Sequence, residues 1–219
     1  MNAPRMRNGL VLVLSIAALA CAADAAAPKV ERTGPLTAAG TSDTLRQAVD
    51  DKGYRVTLDD GWTAEFWFAK ELKAGKQEVP GALYPELSAG EFVGVVSCPQ
   101  GMSDYRGQRL AAGLYTLRYQ TLPQDGNHMG VAPNPDFLLA VPAANDSRPD
   151  ESYAYKKLVA MSSKSTTTGH PAVIALESAS EPGTVASTEA GTVVFTVAVP
   201  SAGGTGEKLG IVLKGTAAQ

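Results

Sequence analysis

The sequence is poor in the residues that cross-link a chain or carry chemistry. Its 219 residues include two cysteines, Cys21 and Cys98, and two histidines, His128 and His170. A fold held by disulfides needs more cysteines than this, so the core is expected to be stable through packing alone. Cys98 ends an apolar run, which predicts a buried thiol that packs as a small apolar side chain rather than a nucleophile.

Clustered positive charge is also absent. The net charge is −3, and Lys156–Lys157 is the only place where two basic residues are adjacent. Nucleic acids and anionic membranes are bound by clusters of lysine and arginine. We therefore expect no nucleic acid among the partners, and no membrane bound through charge.

No apolar run reaches the length of about 20 residues that a transmembrane helix needs. The run at residues 10–20 follows Arg5 and Arg7, and it is followed by Ala23-Asp24-Ala25, whose small residues fit a cleavage site. A basic start, a short apolar segment and a small-residue exit are typical of a secretory signal peptide. We therefore expect residues 1–25 to be removed and the mature protein to be periplasmic or extracellular.

The same segment contains Ala18-Leu19-Ala20-Cys21, which is similar to a bacterial lipobox, although Ala18 stands where that pattern has leucine. In a lipobox the cysteine is acylated and becomes the first residue of the mature protein. Each buried methylene of an acyl chain contributes about 0.8 kcal/mol to membrane binding. Acylation of Cys21 would make the protein a membrane-anchored lipoprotein, and it is the only route to a membrane that the sequence offers.

The remaining chain divides into a short linker and one domain. Residues 26–40 are rich in Ala, Pro, Gly and Thr and predict a flexible linker. Residues 41–219 are expected to form a single domain that begins with a helix over 41–53. From Tyr54 onward apolar residues recur at every second position, and Asp59-Asp60-Gly61 lies between two such runs, which predicts a hairpin.

About eight strands are predicted, with one further helix over 150–161. The strands are expected at 54–58, 62–68, 91–97, 114–121, 136–141, 171–176, 191–199 and 208–214. No helical crossovers recur between them, so the strands should pair antiparallel. The sequence therefore predicts an all-β protein, an antiparallel β-sandwich with one or two short decorating helices.

One stretch carries a family resemblance. Gly107, Leu110, Gly113, Tyr115 and Leu117 form the pattern G-x-x-L-x-x-G-x-Y-x-L. This stretch resembles the strand entry of a family of secreted bacterial domains of unknown function, over about residues 54–122 and with an additional segment at 74–105. The resemblance implies a secreted β-sandwich, and it implies no activity or site residues because none is established for that family.

The most polar loop precedes the strand at 136–141 and contains Asp125, Asn127 and His128. His170 precedes another strand. If both strand ends lie at one end of the fold, His128, Asp125 and His170 could hold zinc or act as an acid/base pair. Asp125, Asn127, Gly130 and Asp136 also follow a calcium-loop spacing in part, although the flanking helices of that motif are missing.

Two functions follow from these observations. The first is an exported, non-catalytic module that binds a protein, a glycan or another envelope component without a cofactor. Its contacts would come from loops and from aromatic residues such as Trp62, Trp67, Tyr105 and Tyr119, unless these belong to the core. The alternative is a metal-dependent or acid/base hydrolase at His128, Asp125 and His170. Because no catalytic motif is present, the binding module is the preferred prediction.

Overall fold

The computed structural model describes residues 27–76, 78–123, 131–202, 204 and 206–215. These residues contain two α-helices, α1 (Asp43–Ala48) and α2 (Tyr155–Ser162). They also contain twelve strands: β1 (Lys29–Arg32), β2 (Tyr54–Thr57), β3 (Thr63–Phe68), β4 (Phe92–Cys98), β5 (Met102–Ser103), β6 (Arg109–Leu110), β7 (Gly113–Thr121), β8 (Asp136–Pro142), β9 (Ala172–Glu177), β10 (Thr184–Ser187), β11 (Val193–Val199) and β12 (Glu207–Lys214).

Ten of the strands form one continuous sheet in the order β1-β2-β3-β4-β7-β8-β9-β12-β11-β10. Every neighbouring pair in this sheet is antiparallel. The first and last strands, β1 and β10, approach each other, so the sheet curls into a nearly closed barrel. The predicted all-β, antiparallel class is confirmed. The prediction of an eight-stranded sandwich is wrong, because the sheet bends round on itself instead of dividing into two layers.

The predicted hairpin at Asp59-Asp60-Gly61 is confirmed. It joins β2 to β3 with Thr57 opposite Thr63. Gly61 has φ +82°, in the left-handed region that favours glycine. The Asp60 carboxylate accepts a hydrogen bond from the backbone N of Trp62 at 3.0 Å, which holds the turn.

The interior of the barrel is filled by alternate side chains of its strands. Four aromatic rings at its centre lie with centroids 5.4–6.2 Å apart, those of Tyr54, Phe66, Phe68 and Phe195. Leu117, Leu138, Ile174, Val197 and Ile211 complete the same buried cluster. The described interior of the barrel is therefore a packed core.

Cys98 belongs to this core, as predicted. Its side chain is fully buried, and its Sγ donates a hydrogen bond to the Met102 sulfur at 3.5 Å. Burial raises the pKa of the Cys98 thiol to about 12. A thiol with this pKa is protonated at neutral pH and is a poor nucleophile.

Two predicted segments differ from the structure near the start of the chain. The linker predicted at 26–40 contains β1, which pairs with β2 and directs Val30 toward the core. The helix predicted at 41–53 ends at Ala48, because the backbone of Val49 is extended and Asp50 N donates to Phe68 O at 2.9 Å. β1 therefore adds a strand beside β2, and the chain after α1 pairs with the end of β3.

A second layer covers the outside of β7, β8 and β9. It consists of α2 and the chain on either side of it, which bury Phe137, Leu139, Val141 and Val173 against Leu158. Strand β8 is consequently buried on both faces. Among the described residues, no helix has the length and apolar character needed to cross a membrane.

Arg118 connects this second layer to the sheet. Its side chain is fully buried, and its Nε and Nη2 donate to the two carboxylate oxygens of Asp146 at 2.8 and 2.7 Å. The remaining N–H groups donate to the backbone carbonyls of Gly90, Arg148 and Glu151, so all five donors of the guanidinium are used. Because the chain wraps around this side chain, α2 begins at Tyr155 and not at residue 150 as predicted.

Replacing Arg118 with methionine is expected to lower the free energy of unfolding by about 3–5 kcal/mol, because the Asp146 carboxylate would stay buried without its cation. Urea denaturation measures the loss. Arg55→Met is the matched control, since Arg55 forms a largely exposed ion pair with Glu65 (Nη2–Oε1 2.6 Å). That pair should contribute at most about 1 kcal/mol. Equal losses in the two variants would contradict the role of Arg118.

Candidate functional site

A groove of the described surface lies beside Trp62 and has a volume of about 460 Å³. We call it the Trp62 groove. Its apolar lining consists of Trp62, Met102 and Leu213. The polar residues of its lining are Gln100, Ser103, Arg109 and Lys214. The groove thus combines an aromatic ring with several hydrogen-bonding groups, which is typical of a binding site.

The Trp62 side chain is held in place by the turn that follows β4. Its indole Nε1 donates to the backbone O of Gly101 at 2.8 Å. Gln100 connects the same two segments, because its Oε1 accepts from Thr63 N at 2.8 Å. A Cβ at residue 101 would lie 2.5 Å from Leu110 O, so glycine is required at this close approach. The aromatic wall of the groove is therefore preorganised.

The charged side chains of the Trp62 groove differ in how they are paired. Lys214 Nζ lies 2.6 Å from Asp60 Oδ2 and 3.6 Å from Asp59 Oδ1. Its hydrogen bond lowers the pKa of the Asp60 carboxyl. The exposed Arg109 side chain has no ion pair with any of the residues that the structure describes. Arg109 is therefore the cation that remains available to an acidic ligand.

The other aromatic candidates from the sequence have different environments. Trp67 and Tyr119 are buried. Tyr105 is half-buried and packs against Ala175, Val194 and Val212 on the outer face of the sheet. Of the four aromatic residues, Trp62 alone lines the groove.

His170 lies at a second, smaller cavity. This cavity has a volume of about 210 Å³ and lies between α2 and the outer face of β8 and β9; we call it the α2 cavity. His170 is exposed, and its backbone is held by the Thr166 hydroxyl, which donates to His170 O at 2.6 Å. Arg106 and Tyr155 line the same cavity.

The predicted metal site cannot be assembled from the described residues. Asp125, Asn127 and His128 lie outside them, as does the predicted acylation site Cys21. Within the described ranges, no group of three or more His, Cys, Asp or Glu side chains is arranged to hold a metal ion. Zinc or calcium at His128, Asp125 and His170 therefore stays a prediction.

Asp136, the last position of the calcium-loop spacing, has a structural role. Its carboxylate is fully buried and accepts hydrogen bonds from Leu83 N at 3.1 Å and Tyr84 N at 2.8 Å. The Tyr119 hydroxyl donates to the same carboxylate at 3.2 Å. Asp136 thus holds the segment around Tyr84 against the barrel, and its lone pairs are taken by protein donors.

Both cavities share one hairpin, which sequence reasoning did not single out. The β5–β6 hairpin places Met102, Ser103 and Arg109 in the Trp62 groove and Arg106 at the α2 cavity. The sequence signal that could have identified this hairpin is the Asp-x-x-Gly turn at 104–107, which contains Arg106 and is followed by Arg109.

The hairpin is held by Asp104, which is 1% exposed. Its Oδ1 accepts hydrogen bonds from Arg106 N at 3.0 Å and Gln108 N at 2.8 Å. Its Oδ2 accepts from Gln108 Nε2 at 2.7 Å and from Val173 N at 3.1 Å. One carboxylate therefore both closes the turn and fixes it to β9.

Glu91 is the buried acid with the least complete hydrogen bonding. Its Oε1 accepts from Lys73 N at 3.4 Å, and Ser152 Oγ donates to its Oε2 at 3.4 Å. Lys73 Nζ lies 3.8 Å from Oε2. Burial outweighs the effect of this lysine and raises the pKa of the Glu91 carboxyl. Glu91 and Lys73 line a cavity of about 400 Å³ with the exposed Glu71.

Comparison with protein-family models, curated proteins and solved structures finds no match to this chain. The resemblance of residues 54–122 to secreted domains of unknown function therefore stays a prediction. A functional proposal for this protein consequently depends on the geometry of its cavities.

The raised pKa of Glu91 predicts a pH-dependent stability. Between the ordinary pKa near 4.5 and the higher pKa of the folded state, the native protein keeps a proton that the unfolded chain releases. The higher proton affinity of the native state stabilises the folded protein at low pH. This contribution to the free energy of unfolding is complete below the ordinary pKa, and it is lost as pH rises through the folded-state pKa. Glu91→Gln should therefore gain stability relative to the wild type across that window, because glutamine stays neutral.

Urea denaturation of both proteins from about pH 4 to about pH 8 measures this difference. Glu71→Gln is the matched control, since it removes an exposed carboxylate from the same cavity. A difference between Glu91→Gln and the wild type that does not vary with pH would contradict the prediction.

Proposed function

We propose that this protein is an exported, non-catalytic binding module whose Trp62 groove binds an acidic carbohydrate. The observation that carries the proposal is that one groove is lined both by the fixed indole of Trp62 and by the guanidinium of Arg109, which has no ion pair among the described residues. An aromatic ring packs against the apolar face of a sugar ring, and a guanidinium pairs with a carboxylate in bidentate geometry.

The construction of the groove supports binding with a small loss of entropy. Its walls come from the end of the β2–β3 turn, the β4–β5 turn, β5, β6 and the end of β12. Hydrogen bonds from Trp62 and to Gln100 connect the first two of these segments. A ligand would meet a Trp62 ring and a Gln100 side chain that are already held in place, which lowers the cost of association.

The lining also favours binding over chemistry. Its described members include no histidine, cysteine or carboxylate, and the one lysine among them is Lys214. The amine of Lys214 is paired with Asp59 and Asp60, so it is not free to act as a base for the exposed Ser103. A carbohydrate is favoured over a nucleic acid because the chain has a net charge of −3 and no basic cluster.

Isothermal titration calorimetry with an oligomer of galacturonic acid tests the proposal, with a neutral glucose oligomer as the comparison ligand. Trp62→Ala is expected to weaken binding of the acidic oligomer by about tenfold or more. Arg109→Gln should remove the preference for the acidic oligomer, because the charge–charge contact is lost while the ring remains. Circular dichroism checks that both variants are folded.

Tyr105→Ala is the matched control, since it removes a half-buried aromatic ring that does not line the groove. Unchanged affinity in Trp62→Ala, or no binding of either oligomer by the wild type, would overturn the carbohydrate proposal. Stoichiometric zinc or calcium in the purified protein, lost in His128→Ala, would support the hydrolase instead.

Export has its own test. We expect the mature protein from a bacterial host to begin at Ala26, as measured by intact mass and N-terminal sequencing. A mature protein that begins at an acylated Cys21 would show the lipoprotein form. Retention of Met1–Ala25 in the cytoplasm would contradict export.

A further inference from the structure

The α2 cavity is chemically different from the Trp62 groove. Its floor is apolar and is formed by Phe137 and Leu139 of β8 and Val173 of β9, which are each at most 2% exposed. Val159 of α2 forms the opposite wall. Arg106 and His170, both exposed, stand at the mouth. The cavity thus combines an exposed cation, Arg106, with a largely apolar lining.

The mouth of the cavity is held by hydrogen bonds. Tyr105 N donates to Val173 O at 2.9 Å, next to the contact that Asp104 makes with Val173 N. Gln108 Nε2 donates to Pro171 O at 3.1 Å, which connects the hairpin to the segment that carries His170. The position of the Arg106 backbone is therefore set by β9, although its side chain is exposed.

Arg106 has no ion pair among the residues that the structure describes. The cavity has a volume of about 210 Å³. Such a space suits a short aliphatic chain and is too small for a lipid with two long chains. Charge and shape together favour a ligand with one anionic head and one short apolar tail.

We propose that the α2 cavity binds a small amphipathic carboxylate, whose head pairs with Arg106 and whose tail lies against Phe137, Leu139 and Val173. This proposal is independent of the carbohydrate proposal, because the two cavities have no lining residue in common.

Isothermal titration calorimetry with octanoate, octan-1-ol and acetate tests the class of ligand. Octanoate is expected to bind with a submillimolar dissociation constant. Octan-1-ol, which keeps the tail without the charge, should bind about tenfold more weakly or worse. Acetate, which keeps the charge without the tail, should not saturate the site. Absence of octanoate binding, or equal affinity for octanoate and acetate, would overturn the proposal.

Two arginine variants test the residues involved. Arg106→Gln should weaken octanoate binding about tenfold and leave octan-1-ol binding unchanged. Arg109→Gln is the matched control on the same hairpin and should leave octanoate binding unchanged. Conversely, binding of the galacturonic acid oligomer should change in Arg109→Gln and not in Arg106→Gln. The failure of one proposal can therefore be distinguished from the failure of the other.

A cavity-filling variant gives a test that does not depend on charge. Val159→Phe, at a half-buried position of α2, should weaken the binding of octanoate and of octan-1-ol to the same extent. Urea denaturation verifies that the variant is folded. Val185→Phe in β10, a half-buried valine away from the cavity, is the matched control. Octanoate affinity that is unchanged in both Arg106→Gln and Val159→Phe would show that octanoate binds elsewhere.

Discussion

The arrangement of both candidate sites depends on the buried carboxylate of Asp104. It closes the turn of the β5–β6 hairpin and at the same time binds the backbone of β9, where Val173 is not paired with β12. A two-stranded hairpin is only marginally stable by itself. Its attachment through Asp104 gives Arg106 and Arg109 defined positions at two different cavities. An exposed hairpin thereby behaves as part of the barrel wall.

The strands of the barrel were predictable because their periodicity is strong. All eight predicted strands are present, and Val30 and Val185 show why β1 and β10 were not predicted: each of these four-residue strands contributes one apolar side chain to the core. The closure of the sheet could not be read from the pattern, since alternation is the same in a barrel and a sandwich. Likewise, the late start of α2 results from the tertiary contacts of Arg118, which no local preference encodes.

The candidate sites were predictable only in part. Trp62, an aromatic residue at a turn, was among the candidates predicted from the sequence. The sequence could not distinguish Trp62 from Trp67, although Trp67 is buried in the structure. Residue type alone could not single out Arg106 and Arg109 without the turn between them, because exposed arginines are common on any surface. Their significance comes from the cavities beside them. These are formed by residues distant in sequence, such as Leu213 for one and Val159 for the other.

The approach of β1 to β10 affects the order in which the chain folds. Residues 29–32 can meet residues 184–187 only after most of the chain has been synthesised. Contacts between such distant segments slow the approach to the native state, because a long loop must be ordered first. Until β1 and β10 approach each other, both edges of the sheet are exposed along their length, and the chain can pair there with another copy of itself.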